Sequence, residues 1–244
     1  MATDTSRGII RFFEDFQGLD VVADRPEYGV DIDPAVEVIT ATDGSGIGGV
    51  VRITMDAAQA NIGGITFGTT QWSAHDNYLE FEARVKLSAL GTGAERVFVG
   101  FTDVQADTLS EMPFTGATTV LTAAADPDDA IGFFWEGDMT GAFWTPASLN
   151  TSAVVIDGAT NMSADEKRLA TITAAQWHTL GFRIQSGAKH VEFFVDGKSV
   201  YVYKSATQAA VADVALIPEF VVTEGTGAIN ADLDYVYCEM GRDN

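Results

Sequence analysis

The sequence predicts an all-β protein, an antiparallel two-sheet β-sandwich, on three observations. Polar and apolar residues alternate with period two along most of the chain, an Asp-Gly dipeptide separates two alternating runs, and no helical pattern is long enough to build a layer. The clearest strand is 78–87, where Leu79, Phe81, Ala83, Val85 and Leu87 share one face against Glu80, Glu82, Arg84 and Lys86 on the other. Residues 96–102 (RVFVGFT) add a strand rich in aromatic and β-branched residues. Residues 131–137 (IGFFWEG) are apolar on both faces, which places that strand in the middle of a sandwich. In 177–185, His178, Leu180, Phe182 and Ile184 alternate with Trp177, Thr179 and Arg183. Residues 190–203 read as a hairpin about Asp196-Gly197, because a two-residue type I′ turn needs positive φ at both central positions. The last strands are 215–223 and 229–240; Pro218 removes a ladder donor and predicts an edge or a bulge there. Ser163 and Glu166 have capping-box spacing and predict one helical turn through Arg168, and 205–213 is a second candidate for a short helix. The segments 103–129 and 138–162, rich in Thr, Ala, Gly and Asp, are predicted as long loops.

Nothing divides the 244 residues with a Pro-rich or Gly/Ser linker, so one sandwich domain is expected over 11–241, preceded by a flexible N-terminal arm at 1–10. The balance of 14 Lys and Arg against 35 Asp and Glu gives a net charge of −21, which excludes the clustered cations that nucleic-acid binding requires. Such a surface repels its own copies, so an oligomer must offset the repulsion by apolar contact, salt or bound cations. No stretch reaches the length of a membrane span, and the opening residues lack the apolar core of a secretory signal, so neither a membrane partner nor secretion is expected. Cys238 stands alone in a strand-like run and is read as a buried small apolar residue.

The usual catalytic signatures are missing. The three histidines, His75, His178 and His190, have no zinc-site spacing, and no nucleophile elbow, phosphate loop or dinucleotide fingerprint occurs. The nearest acidic motif, Asp31, Asp33 and Glu37, contains Pro34 and spaces its last acid too widely for a paired-carboxylate glycosidase. Two weaker candidates are left. Trp72 and Trp144 lie near loops and could stack on sugar rings, whereas Trp135 and Trp177 lie in strands and read as core. Asp103, Asp107, Asp126, Asp128 and Asp129 could supply oxygens to calcium, with turn capping as the alternative role; no other cofactor is indicated.

Taken together, RFFEDFQG at 11–18, LEFEARVKL, VFVGFTD at 97–103, WHTLGFRIQ, VEFFVDGK at 191–198 and the closing LDYVYCEM resemble concanavalin A-like (laminin-G-like) jelly rolls. Their order resembles structural proteins of tailed bacteriophages. This resemblance implies a virion protein, assembled in the host cytoplasm and placed on the capsid surface, that decorates or stabilises the shell. Its partners would be the major capsid protein and its own copies as a dimer or trimer, and it would not be an enzyme. The same sandwich is reused in lectins, glycosidases and polysaccharide lyases, so a carbohydrate-binding module, with a host-surface glycan as partner, is the alternative expectation.

Overall fold

The computed structural model describes residues 9–16, 28–32, 38–42, 49–55, 62–67, 71–75, 78–91, 93–103, 112–117, 119–124, 126–223, 225 and 228–241, with backbone alone at 28–32, 38–42 and 117. In chain order the described elements open with β1 (Ile9–Glu14), β2 (Tyr28–Ile32), β3 (Val38–Thr42), β4 (Val50–Met55), β5 (Ile62–Phe67), β6 (Tyr78–Leu87) and β7 (Arg96–Thr102). There follow β8 (Phe114–Ala117), β9 (Val120–Ala123), β10 (Ala130–Glu136), β11 (Thr145–Asn150) and β12 (Ala153–Asp157), then helices α1 (Gly158–Asn161) and α2 (Ala164–Leu169). The chain closes with β13 (Trp177–Gln185), β14 (His190–Val195), β15 (Lys198–Lys204), β16 (Ile217–Thr223) and β17 (Ile229–Gly241).

These strands form two large antiparallel sheets and a small hairpin. The eight-stranded sheet runs β15-β14-β13-β6-β17-β4-β3, and β1 also pairs with β17; the seven-stranded sheet runs β12-β11-β10-β7-β16-β5-β2. The length of β17 explains the first arrangement. One side pairs with β6 over Ala231–Gly241, while the other is shared by β4, at Ile229–Leu233, and by β1, at Val236–Gly241. Between the sheets the inward alternate residues make one core. Phe81 stacks on Phe182 at 5.1 Å between ring centroids, and Phe101 of the facing sheet meets both rings edge-on, at 5.4 and 6.0 Å.

The seven-stranded sheet is buried on its outer face as well. The β8-β9 hairpin and α1 lay Phe114, Leu121 and Ala159 over Phe98, Phe134 and Val221 to form a second apolar cluster. That cover is why the 131–137 run is apolar on both faces, and β10 lies between β7 and β11 as an interior strand.

Several local expectations meet the structure directly. The alternating run at 78–87 buries every second residue, and Asp196 and Gly197 turn the β14-β15 hairpin with φ of +51° and +73°. Ser163 and Glu166 cap each other at the start of α2. The Asp196 carboxylate also accepts the amide of Thr179 at 2.9 Å and lies 3.0 Å from Nδ1 of His178. Since the Thr173 amide donates to His178 Nε2, the ring carries its proton on Nδ1 and donates it to Asp196, a structural role for this histidine. Because Gly197 has positive φ, Gly197→Ala is expected to cost about 1–2 kcal/mol, measured by urea unfolding, although a methyl there meets no neighbouring atom.

Four expectations are corrected. The supposed loops 103–129 and 138–162 contain β8, β9, β11 and β12; β11 (TPASLN) lacks alternation because it is buried along nearly its whole length, and the other three are only four or five residues long. The 205–213 segment is not helical. The Ser205 hydroxyl accepts the amides of Thr207 and Gln208, and the amides of Ala210 and Ala212 go to Ala188 and Asp129, so these donors are used outside any helix. Ile9 and Ile10, assigned to the N-terminal arm, open β1; residues 1–8 lie outside the described residues. Pro218 lies in an interior strand, yet at a position where β16 pairs with β7 and has run past its ladder with β5, so the missing donor breaks no hydrogen bond to β5.

Candidate functional site

The outer face of the eight-stranded sheet collects the polar residues of its strands into rows, because antiparallel register sets opposite residues side by side. One row crosses β1, β17, β6, β13 and β14 as Arg11, Glu239, Glu80, Arg183 and Glu192. The next, two residues along, reads Phe13, Tyr237, Glu82, Gly181 and Phe194. A third contains Tyr235, Arg84 and Thr179, and a fourth Arg52, Asp232, Lys86 and Trp177.

At Gly181 the second row has no side chain. The gap is a hollow of about 230 Å³, lined among others by Glu80, Glu82, Thr179, Arg183 and Phe194. This is smaller than the roughly 300–1,000 Å³ of sites for drug-sized ligands and suits one small ring. Arg183 donates to Glu80 at 3.0 Å and holds its guanidinium 5.4 Å from the centre of the Phe194 ring, fixing one wall. Glu82 accepts the Tyr235 hydroxyl at 2.6 Å. A carboxylate has about four lone-pair sites, so this single bond leaves capacity facing the hollow.

The surrounding charges are tied down. Glu239 accepts from Tyr78, from Tyr237 at 2.5 Å and from Arg11 at 2.5 Å. Partial burial opposes its ionisation, but these donors outweigh burial and hold the carboxyl below the usual glutamate range. Burial, followed by the adjoining carboxylate, pushes the hydroxyls of Tyr78 and Tyr235 up to about 12, and that of Tyr237 is raised for the same reasons. Asp232 is buried, yet Arg52 at 2.6 Å and Lys86 at 2.8 Å keep it below the ordinary aspartate range. Lys86 and Arg84 also lie 4.6 and 5.1 Å from the Trp177 ring centre. Trp177, expected in the core, is therefore a half-buried residue of this outer face.

The structure places the sequence candidates elsewhere. The expectation that Trp72 and Trp144 meet a sugar is corrected by their burial, at 1% and 0% exposure: both belong to the inter-sheet core and present no ring face to a ligand. Of the calcium candidates, Asp107 lies outside the described residues. Asp129 accepts the amides of Thr151 at 3.3 Å and Ala212 at 2.9 Å, Asp103 accepts that of Asp129 at 3.3 Å, and Asp128 accepts the Ser152 hydroxyl. These three acids clamp neighbouring loops together, and burial raises the Asp103 carboxyl above its ordinary value. Asp126 is exposed and takes no part in these bonds. Among the described residues no three His, Cys, Asp or Glu side chains are grouped to hold a metal. The acidic motif at 31–37 has only Asp31 and its neighbour Ile32 within the described backbone. Cys238 is fully buried, as expected, and burial pushes its thiol well up.

No family model matches the chain, and no curated protein matches it in sequence. Solved structures do. A protein of unknown function from Shewanella oneidensis is 14% identical, with a TM-score of 0.63 over 99% of this chain and 90% of that one. The carbohydrate recognition domain of Emp46p in its potassium-bound form is 9% identical, with a TM-score of 0.56 over 89% of this chain and 92% of that one. A Bacillus licheniformis beta-glucanase is 13% identical, with a TM-score of 0.53 over 96% of this chain and 98% of that one. Likeness at such identity concerns the fold alone, which is the concanavalin A-like jelly-roll β-sandwich.

Proposed function

We propose that the protein binds carbohydrate on the outer face of its eight-stranded sheet, at the hollow over Gly181, and does not cleave it. The observation that carries this reading is the juxtaposition of Glu82, with spare acceptor capacity, and the half-buried Phe194 across a glycine gap. A sugar ring offers hydroxyls to the first and an apolar face to the second. Carbohydrate recognition domains share the fold, and so do glycosidases. A cleaving enzyme needs a carboxyl kept protonated near neutral pH. On this face Arg11, Tyr237 and Tyr78 hold Glu239, and Arg52 and Lys86 hold Asp232, below the ordinary carboxylate range, which supports binding over acid catalysis.

In a calorimetric titration against the sugar that gives the strongest glycan-array signal, Glu82→Gln is expected to weaken binding about tenfold or more, by the roughly 1.5–3 kcal/mol of a hydrogen bond to a charged group. Thermal unfolding should remain close to that of the unaltered protein. An array without signal, with calcium and with chelator, overturns the proposal.

A second reading is a decoration protein on a tailed-phage shell, which the order of the strand texts supports. One structural observation favours it: Phe13 is 47% exposed on the same face, an apolar side chain offered to a partner. Its partners would then be the major capsid protein and further copies of this chain, and its location the virion surface. Stoichiometric binding to shells lacking the protein, undiminished by Glu82→Gln, is the outcome that selects this reading.

A further inference from the structure

We infer that the ligand is the interior of a linear, uncharged glycan chain lying across the strands, rather than a sugar end or an acidic glycan. This rests on the carbohydrate reading of the Gly181 hollow and extends it along the second row. Phe13, Tyr237, Glu82, the Gly181 gap and Phe194 occupy the same register on five successive strands. At about 4.8 Å between strands the row spans roughly 19 Å. A row of that length takes several linked sugar rings rather than one. Its aromatic members stand at the two ends, Phe13 and Tyr237 on one side and Phe194 on the other, with the carboxylate and the gap between them, which matches a chain whose outer rings lay apolar faces on aromatics while a central ring offers hydroxyls to Glu82.

Among the described residues neither end of the row is walled. Beyond Phe194 the next residue in register is the small, exposed Ser199 of β15, and Phe13 at the other end is itself exposed. A site for a chain terminus needs a stop, and this row has none among the described residues. The preference for uncharged sugar follows from the cations. Arg11 pairs with Glu239, Arg52 and Lys86 with Asp232, Arg84 with Asp234 and Arg183 with Glu80. A uronate or sialate would have to displace one of these carboxylates while approaching Glu82, a like charge.

The test is calorimetry of the full chain with neutral hexose oligomers of one to six units, in gluco, manno and galacto series, beside uronate oligomers of matched length. Affinity is expected to rise at least tenfold from monomer to tetramer and then level off, with uronate chains at least tenfold weaker. Phe13→Ser should remove part of the gain between dimer and tetramer and leave the monomer unchanged. A monosaccharide bound as tightly as the tetramer, or a uronate chain bound more tightly than a neutral one, overturns the inference while leaving sugar binding in place. Absence of binding at every length removes the underlying site and the inference together.

Discussion

Phe182→Ala is expected to lower the stability of the fold by about 3–5 kcal/mol, the range for emptying a large aromatic position in a packed core. Phe182 stands where the two sheets meet. Its ring stacks on Phe81 at 5.1 Å, meets Phe101 edge-on at 6.0 Å and lies 5.6 Å from Phe193. Truncation removes three ring contacts and opens a cavity whose walls belong to both sheets, so neither sheet can close it alone. At about 2–4 °C per kcal/mol for a chain of this size, the melting temperature should fall by roughly 6–20 °C. Phe182→Leu, which keeps most of the volume, should recover much of the loss in the same calorimetric scan. A melting temperature within two degrees or so of the parent would show that Phe182 is not central to the packing.

Arg96→Met is the second large effect, and its size depends on pH. Glu136 is buried at the end of β10, where Arg96 donates to it at 2.8 Å and the Gly116 amide also donates. Burial raises the Glu136 carboxyl above its ordinary value even though Arg96 and Gly116 oppose that rise. A group whose folded pKa is raised contributes stability below its unfolded pKa and loses it as pH rises through the folded one. Removing Arg96 takes away the strongest opposition, so the pKa rises further and the charged form is left buried without its cation. The expected cost at neutral pH is about 3–5 kcal/mol, shrinking as pH falls toward the point where Glu136 is protonated in both states. Adding Glu136→Gln should restore most of the stability and flatten the pH profile. Urea unfolding across pH 4 to 8 checks this, and a loss independent of pH would show that Arg96 acts through packing alone.

The parts of the fold that were legible in the sequence are those in which one face meets water. The 78–87 strand, the Asp196-Gly197 hairpin and the Ser163 capping box each depend on a local rule that neighbouring layers do not override. β8, β9, β11 and β12 were illegible for the opposite reason. β11 is buried along nearly its whole length, and β8, β9 and β12 are only four or five residues long, so they carry little alternation to read; Ser148 uses its hydroxyl to accept the Ile156 amide within the sheet. The candidate site is hard to read from the sequence because its residues stand on strands, whereas loops are the usual place for function on a β scaffold. A signal was present: in DYVYCEM the outward positions are Tyr235, Tyr237 and Glu239, an aromatic pair where solvent-facing residues are usually small or charged. Trp177, set opposite His178 and Leu180 in an alternating run, carried the same message.

The position of β17 also bears on how the molecule is made. This strand, near the end of the chain, supplies partners to β6, β4 and β1, so the middle of one sheet is missing until it leaves the ribosome. With bacterial to eukaryotic synthesis at about 5–20 residues per second, β1 waits roughly ten to forty seconds for its partner. During that interval Ile10 and Phe12 have no shelter, and the strand edges of β4 and β6 are open to any neighbouring nascent chain. Before β17 is made the chain already carries 31 acidic against 13 basic residues, so unfinished copies repel one another while those edges are open.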